Sequence, residues 1–111
     1  MTVRDMVNAI RDDVRDGDLT PTQAGEYASR LSALLGNIAE EIRDADMAFN
    51  AVFAKCLDEE AKANRAKIRA ELTEEYRRKR EAHDFHMVTL EMVRSLRKLT
   101  DAAIAEARLQ R

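Results

Sequence analysis

Apolar residues between Ala24 and Cys56 recur at alternating spacings of four and three residues. This spacing places them along one narrow side of an α-helix, where they pack against other helices. The pattern fails at Glu59 and meets an apolar residue again at Ala63, so it predicts a long helix over about residues 21–63. The predicted buried seam comprises Ala24, Ala28, Leu31, Leu35, Ile38, Ile42, Ala45, Phe49, Val52 and Cys56.

The segment before this seam predicts a short first helix over about residues 2–15. Thr2 is suited to cap its first turn, and Gly17 is suited to the left-handed backbone that ends it. A capping box of Thr20 with Gln23 then marks the start of the long helix. The apolar side of the first helix consists of Val3, Met6, Val7, Ile10 and Val14.

The C-terminal part predicts a charged turn region over about residues 64–73 and a last helix over about residues 74–108. The apolar pattern thins before Thr73, which is suited to cap the helix that follows. We expect the two long helices to form an antiparallel hairpin, and a single rod from Pro21 onward is the alternative. Two apolar stripes follow the last helix, one made of Phe85, Val88, Met92, Leu96, Leu99 and Ala103 and the other of Met87, Leu90, Val93 and Ile104.

These elements predict a single all-α domain over residues 1–111, built as a coiled-coil-like bundle. Charged residues make up 36% of the chain and aromatic residues 5%, which is typical of long helices. Rods of this size bury too little surface alone to offset the entropy of ordering, so we expect a homo-oligomer. The core and oligomer seam is expected at Leu31, Leu35, Ile38, Ile42, Phe49, Val52, Phe85, Met92, Leu96 and Leu99.

Cysteine content and hydropathy indicate where the protein is found. The lone Cys56 lies at a seam position, which suits a small apolar side chain in a reducing compartment. The sequence shows no targeting segment and no apolar run of about 18 residues, the length that a transmembrane helix needs. We therefore expect a cytoplasmic protein without membrane association.

Charge is separated along the chain although the net charge is only −2. Residues 40–60 carry seven acids and two bases, whereas residues 62–80 carry eight bases and three acids. Basic clusters bind phosphates or acidic partners, and we expect nucleic-acid or anionic-partner binding at Lys62, Arg65, Arg69, Arg77, Arg78, Lys79 and Arg80.

Two other interpretations of this basic cluster stay open. One is a solvated helix surface with ion pairs four residues apart, namely Asp58–Lys62, Glu74–Arg78 and Glu75–Lys79. The other pairs the basic cluster with the acidic segment of a second subunit, so that charge directs assembly. Tyr76 is the one aromatic residue among these bases that could stack on a nucleobase.

The residues give less support to metal or enzyme chemistry. His83 and His86 share one side of a helix, but the sequence fixes no third ligand. Three carboxylate pairs have the residue types and spacing of the Mg²⁺ ligands of helical nucleotide pyrophosphohydrolases, namely Glu71/Glu74, Glu81/Asp84 and Glu41/Asp44. The first two pairs are too close in sequence to lie on two facing helices, and no Glu-x-x-Glu pair lies on a helix that clearly faces the third. We expect no catalytic residues, no metal and no cofactor.

Four short segments between Ala39 and Leu99 carry a family resemblance, namely Glu40–Ile42, Asp44–Asn50, Glu75–Arg77 and Thr89–Arg97. Together they resemble a diffuse group of small all-helical proteins that phages encode among their early genes. The resemblance implies a phage or prophage origin, a location in the host cytoplasm, and an accessory role in DNA replication, recombination or counter-defence. The group lends no assigned catalytic residues to this chain.

The sequence thus favours a non-enzymatic, oligomeric helical binding protein that is accessory to DNA replication or recombination. Its expected partners are further copies of itself and either single-stranded DNA or a DNA-processing protein. One alternative is a counter-defence protein that sequesters a small signalling nucleotide where arginines converge between subunits. The second alternative is a Mg²⁺-dependent nucleotide pyrophosphohydrolase.

Overall fold

The computed structural model describes residues 2–110, and within that range the protein is all-helical. Four helices follow one another: α1 (Val3–Asp16), α2 (Pro21–Glu59), α3 (Ala63–Glu71) and α4 (Glu74–Leu109). No stretch of these helices combines the length and the hydropathy that a bilayer-spanning helix requires. The expected all-α fold class is confirmed for the described residues.

Reciprocal hydrogen bonds close the first turns of α1 and α2. The Asp5 N–H donates to Thr2 Oγ1, and the Thr2 N–H donates to the Asp5 carboxylate, both at 3.1 Å. At α2, the Gln23 N–H donates to Thr20 Oγ1 at 3.1 Å and the Thr20 N–H donates to Gln23 Oε1 at 3.0 Å. Each box satisfies two backbone donors that a helix start otherwise leaves unpaired. The predicted Thr2 cap and the predicted capping box of Thr20 with Gln23 are confirmed.

The break between α1 and α2 depends on two residues with positive φ. Gly17 has φ +85° and Asp18 has φ +60°. Glycine adopts positive φ without steric cost, and aspartate is one of the few other residues that tolerate it. The stop predicted at Gly17 is confirmed, and α2 begins with Pro21, whose missing N–H would have no helical partner at that position.

The charged turn region expected over residues 64–73 is wrong for most of its length, because α3 occupies it. Alanine, lysine, arginine and glutamate dominate this segment, and all four favour a helix even when they supply no wide apolar face. The chain turns instead in two short breaks, after Glu59 and after Glu71. At the second break, Thr73 Oγ1 donates to the Ala70 carbonyl at 2.6 Å and accepts from the Tyr76 N–H at 3.4 Å.

Contacts divide the chain into two compact units. The first comprises the chain up to Asn37 and from Met87 onward, and the second comprises Ile38–His86. The core of the first unit joins α1, α2 and α4, and its buried residues include Val7, Ile10, Ala24, Ala28, Leu31, Thr89, Val93 and Leu96. Polar contacts add to it, since Tyr27 donates to the Asp13 carboxylate at 2.6 Å and Arg97 donates to Ser32 Oγ at 3.2 Å.

The core of the second unit joins α2, α3 and α4 through small side chains. Its buried residues are Ile38, Ala45, Cys56, Ala66, Ala70 and Ala82. Three partly buried residues of α2 pack against the Cys56 end of this core, namely Phe49, Val52 and Phe53. Across the two units the predicted α2 seam is buried at six positions and half-buried at Leu35, Ile42, Phe49 and Val52. The seam is therefore covered by helices of the same chain.

Each of the two predicted stripes of α4 is buried in part and exposed in part. Leu96 and Val93 are fully buried, while Phe85 and Met92 are half-buried. Met87, Val88, Leu99 and Ile104 are exposed. Leu99 was expected in the core seam, but its helical position lies to one side of Leu96, beyond the reach of the neighbouring helices. Part of the apolar surface of α4 is therefore not covered by the other helices of the chain.

Replacement of Leu96 by alanine tests the α4 core directly. Leu96 is 1% exposed, so Leu96→Ala leaves a cavity and should lower the free energy of unfolding by about 2–5 kcal/mol. Leu99 is 55% exposed, and the matched Leu99→Ala change should cost less than about 1 kcal/mol. Urea unfolding followed by circular dichroism measures both. Equal losses in the two variants would mean that Leu96 does not lie in the core.

Candidate functional site

The predicted basic residues all lie in the second unit. Lys62 precedes the first turn of α3 and has an extended backbone, while Arg65 and Arg69 belong to α3 itself. The remaining four, Arg77, Arg78, Lys79 and Arg80, lie in the first two turns of α4. Arg77 and Arg80 line a shared open pocket with Leu72, Thr73 and Tyr76. The other basic residues do not line this pocket.

Three of the predicted arginines are balanced by acids of the same chain. Arg78 donates to both carboxylate oxygens of Glu41, at 2.7 and 3.1 Å. Arg69 contacts Glu59 at 2.6 Å and Glu60 at 3.6 Å. Such pairs reduce the positive charge that a phosphate would meet.

Arg77 is the third of these arginines. Its Nε donates to the Glu74 carboxylate at 2.9 and 3.1 Å, and its guanidinium also contacts Glu81 at 3.0 Å. Hydrogen bonds to carboxylates raise the pKa of the Arg69, Arg77 and Arg78 guanidinium groups. The same bonds lower the pKa of the Glu41 and Glu74 carboxyl groups. These arginines are therefore held as ion pairs on the protein surface.

The ion pairs differ from those expected four residues apart. Glu74 contacts Arg77 rather than Arg78, because Arg78 faces α2 and reaches Glu41. Lys79 also faces α2, where its Nζ lies 4.6 Å from the centre of the Phe49 ring. The expected Asp58–Lys62 pair would need both residues on one helix, where side chains four residues apart are neighbours. Helix α2 ends at Glu59, so the two residues share no helix.

Tyr76 belongs to an aromatic contact inside the second unit. Its ring centre lies 5.4 Å from that of Phe49 in a tilted arrangement, and Phe49 stacks on Phe53 with ring centres 6.1 Å apart. Tilted and offset aromatic pairs are stabilising at these distances. Tyr76 therefore helps to join α4 to α2, and this contact competes with stacking on a nucleobase.

Three predicted bases form neither an ion pair nor an aromatic contact of the kinds described above in the part of the chain that the structure describes, namely Lys62, Arg65 and Arg80. Among residues 2–110, none of the three forms an ion pair within 4 Å. Lys62 and Arg65 lie at the start of α3 and Arg80 lies on α4. Any binding of an anionic partner by the predicted cluster therefore depends mainly on these three side chains.

The residues considered for metal chemistry contact other side chains. His83 Nε2 lies 2.9 Å from Asp46 Oδ1 on α2. Three carboxylates of the pyrophosphohydrolase-like pairs, those of Glu41, Glu74 and Glu81, contact arginines. Within the described range, no three His, Cys, Asp or Glu side chains converge as a metal site would need.

An apolar groove in the first unit is the feature that the sequence pattern left unidentified. It is lined by Val14 at the end of α1 and by Met87, Val88, Glu91, Met92 and Ser95 of α4. Met87 and Val88 are exposed, while Val14 and Met92 are half-buried. The signal was present in the double apolar stripe of α4, which is wider than the contact with α1 and α2 can cover.

The Glu41–Arg78 pair should make a small, pH-dependent contribution to stability. Its hydrogen bond lowers the pKa of Glu41 in the folded chain below the usual 4.5. The stabilisation is therefore complete above the unfolded pKa and is lost as the pH falls through the folded one. Both side chains are about half exposed, so we expect Glu41→Gln to cost about 0.2–1 kcal/mol at pH 7 and nothing near pH 2.

Urea unfolding at the two pH values measures this difference. Glu26→Gln is the matched control, because Glu26 is exposed on the same helix and forms no ion pair within 4 Å among residues 2–110. A cost at pH 7 that is equal in both variants, or that persists at pH 2, would contradict a stabilising Glu41–Arg78 pair.

Comparison with known proteins gives no relative from which a function could be transferred. No family model matches the chain, and neither does any curated protein or solved structure. The function therefore has to follow from the surfaces of the molecule itself: the apolar groove of the first unit and the charged helices of the second.

Proposed function

We propose that this chain is a non-enzymatic, oligomeric helical adaptor that binds a helix of a partner protein in the groove between α1 and α4. The apolar groove is the observation that carries the proposal, because two large apolar side chains, Met87 and Val88, are exposed at its edge. Exposed apolar patches of this kind are typical of surfaces that bind other proteins.

The dimensions and chemistry of this surface suit a helix. Exposed apolar residues of α4 extend from Met87 to Leu99, which is about 18 Å at 1.5 Å per residue. About three turns of an amphipathic helix can lie along such a length, with every third or fourth residue as an apolar anchor. Glu91 and Ser95 supply a polar edge, so a partner helix with a basic flank would complement the groove.

The proposed architecture is an antiparallel hairpin of α2 and α4 within each unit. In the first unit, Ser32 contacts Arg97, and a Cβ added to Gly25, earlier in α2, would lie 3.9 Å from Thr100, later in α4. In the second unit, Asp46 contacts His83, and the later Phe49 contacts the earlier Tyr76. This reversed order supports opposite helix directions. The large apolar side chains that a single copy leaves exposed support association of several copies into an oligomer.

A role in DNA replication or recombination, from a phage origin, completes the proposal. It is supported by the resemblance of residues 39–99 to small phage-encoded helical proteins. We assign the role to protein contacts rather than to phosphate binding, because Arg69, Arg77 and Arg78 are paired with acids of the chain. Single-stranded DNA bound tightly at about 150 mM salt, and released by Arg80→Glu, would contradict this assignment.

Site-specific photo-cross-linking tests the groove in bacterial cells. A photoreactive amino acid at position 88 should cross-link proteins of DNA replication or recombination, which mass spectrometry identifies. Position 94 is the matched control, because Arg94 is exposed on the same helix and does not line the groove. Cross-links confined to copies of this chain, or equal at positions 88 and 94, would overturn the proposed adaptor.

A further inference from the structure

Helix α3 buries its small residues and exposes its large ones. Ala66 and Ala70 are fully buried against Cys56, whereas Ile68 is 62% exposed and Leu72, at the end of the helix, is 83% exposed. Amphipathic helices normally place large apolar residues toward the core, and a helix of nine residues has little stability of its own. The outward face of α3 therefore has the composition of a surface that another helix covers.

This outward face follows the spacing of a helix-packing seam. Arg65, Ile68 and Leu72 are separated by three and four residues, and all three are exposed. We call these residues the α3 stripe. Three bases lie on or beside it, namely Lys62, Arg65 and Lys67, and none forms an ion pair within 4 Å among residues 2–110. The α3 stripe thus combines exposed apolar side chains with positively charged ones.

A complementary stripe runs along the second half of α2. It consists of six exposed residues separated by four, three, four, three and four positions: Glu40, Asp44, Met47, Ala51, Ala54 and Asp58. We call it the α2 stripe. Met47 is 65% exposed, and the two alanines beside it would allow a second helix to approach closely.

Among residues 38–59 of α2, the acids of the α2 stripe are the ones that form no ion pair within 4 Å in the described part of the chain. Glu41 and Glu59 form ion pairs with α4 and α3, and Asp46 lies within hydrogen-bonding distance of His83 on α4. Glu40, Asp44 and Asp58 form none within 4 Å in the described range, although Asp44 lies close enough to help raise the pKa of Arg78. Inward-facing acids are thus neutralised, and outward-facing acids remain available to a basic surface.

We propose that the α3 stripe of one copy binds the α2 stripe of a second copy. Ile68 and Leu72 would cover Met47 and the alanines beside it, while the bases of α3 would meet the uncompensated acids of α2. This inference rests on the proposed function only in that the proposed adaptor is oligomeric. The contact between the two stripes is the surface through which its copies would associate. Charge complementarity and matched four-and-three spacing are what favour a second copy as the occupant.

The geometry of the second unit makes this contact head-to-tail. The α2 stripe lies on the side of α2 opposite to the buried Ala45 and Cys56. Because α3 packs against the Cys56 side and turns its stripe away from α2, the two stripes of one copy face in opposite directions. One copy cannot pair its own stripes. Each copy presents one of each, so association produces rings or open chains rather than a two-fold dimer.

Two variants that each block one stripe provide the test. Ile68→Glu places a negative charge in the α3 stripe, and Ala51→Gln places polar bulk without a charge in the α2 stripe, so the two changed side chains do not attract each other in a mixture. Both positions are exposed, so thermal unfolding should show that each variant keeps its fold. In sedimentation velocity the unmodified chain should form species larger than a dimer, and these should dissociate as salt rises.

Each variant alone should sediment as a monomer of 12.6 kDa. An equimolar mixture should form a complex of one copy of each and nothing larger, because one variant retains the α2 stripe and the other retains the α3 stripe. A mixture that stays monomeric, or a single variant that assembles like the unmodified chain, would overturn the inference. Val88→Glu should leave these masses unchanged, which separates this result from failure of the proposed groove.

Discussion

Burial of a narrow, alanine-rich seam is the constraint on which the rest of this structure depends. Six of the thirteen buried apolar residues among residues 2–110 are alanines. Small side chains let helices approach closely, but each removes little apolar surface from water. The core of each unit is therefore thin. Larger apolar residues on the same helices, such as Met47, Ile68 and Leu99, lie outside the reach of that core.

A thin core explains why ion pairs hold one helix to another at the edges of the seam. Arg78 of α4 forms an ion pair with Glu41 of α2, and His83 Nε2 lies within hydrogen-bonding distance of Asp46 between the same helices. Exposed pairs contribute little each, so they orient the helices more than they stabilise them. The charges that face the seam become neutral as pairs, and the charges on the outer surfaces keep the contrast between an acidic α2 and a basic α3.

Periodicity and capping were sufficient to predict the elements that a single helix determines. Thr20 and Gln23 marked the start of α2, and its four-and-three spacing marked the residues that are buried. Helix α3 was not predicted, because a helix that buries only Ala66 and Ala70 leaves no wide apolar pattern. The expected Glu74–Arg78 pair was also wrong, since ion-pair choice depends on which side of α4 faces α2. The groove near Val14 depends on where α1 ends against α4, which spacing along one helix does not specify.

Amide hydrogen exchange at several protein concentrations tests the central claim most directly. If the thin seam is complete within one copy and the outer residues of α3 are covered by another, protection of residues 24–31, which carry buried seam positions outside both stripes, should not depend on concentration. Protection of Ala63–Glu71 should rise with concentration. The account would be contradicted if residues 24–31 gained protection only at high concentration, or if α3 were equally protected at every concentration.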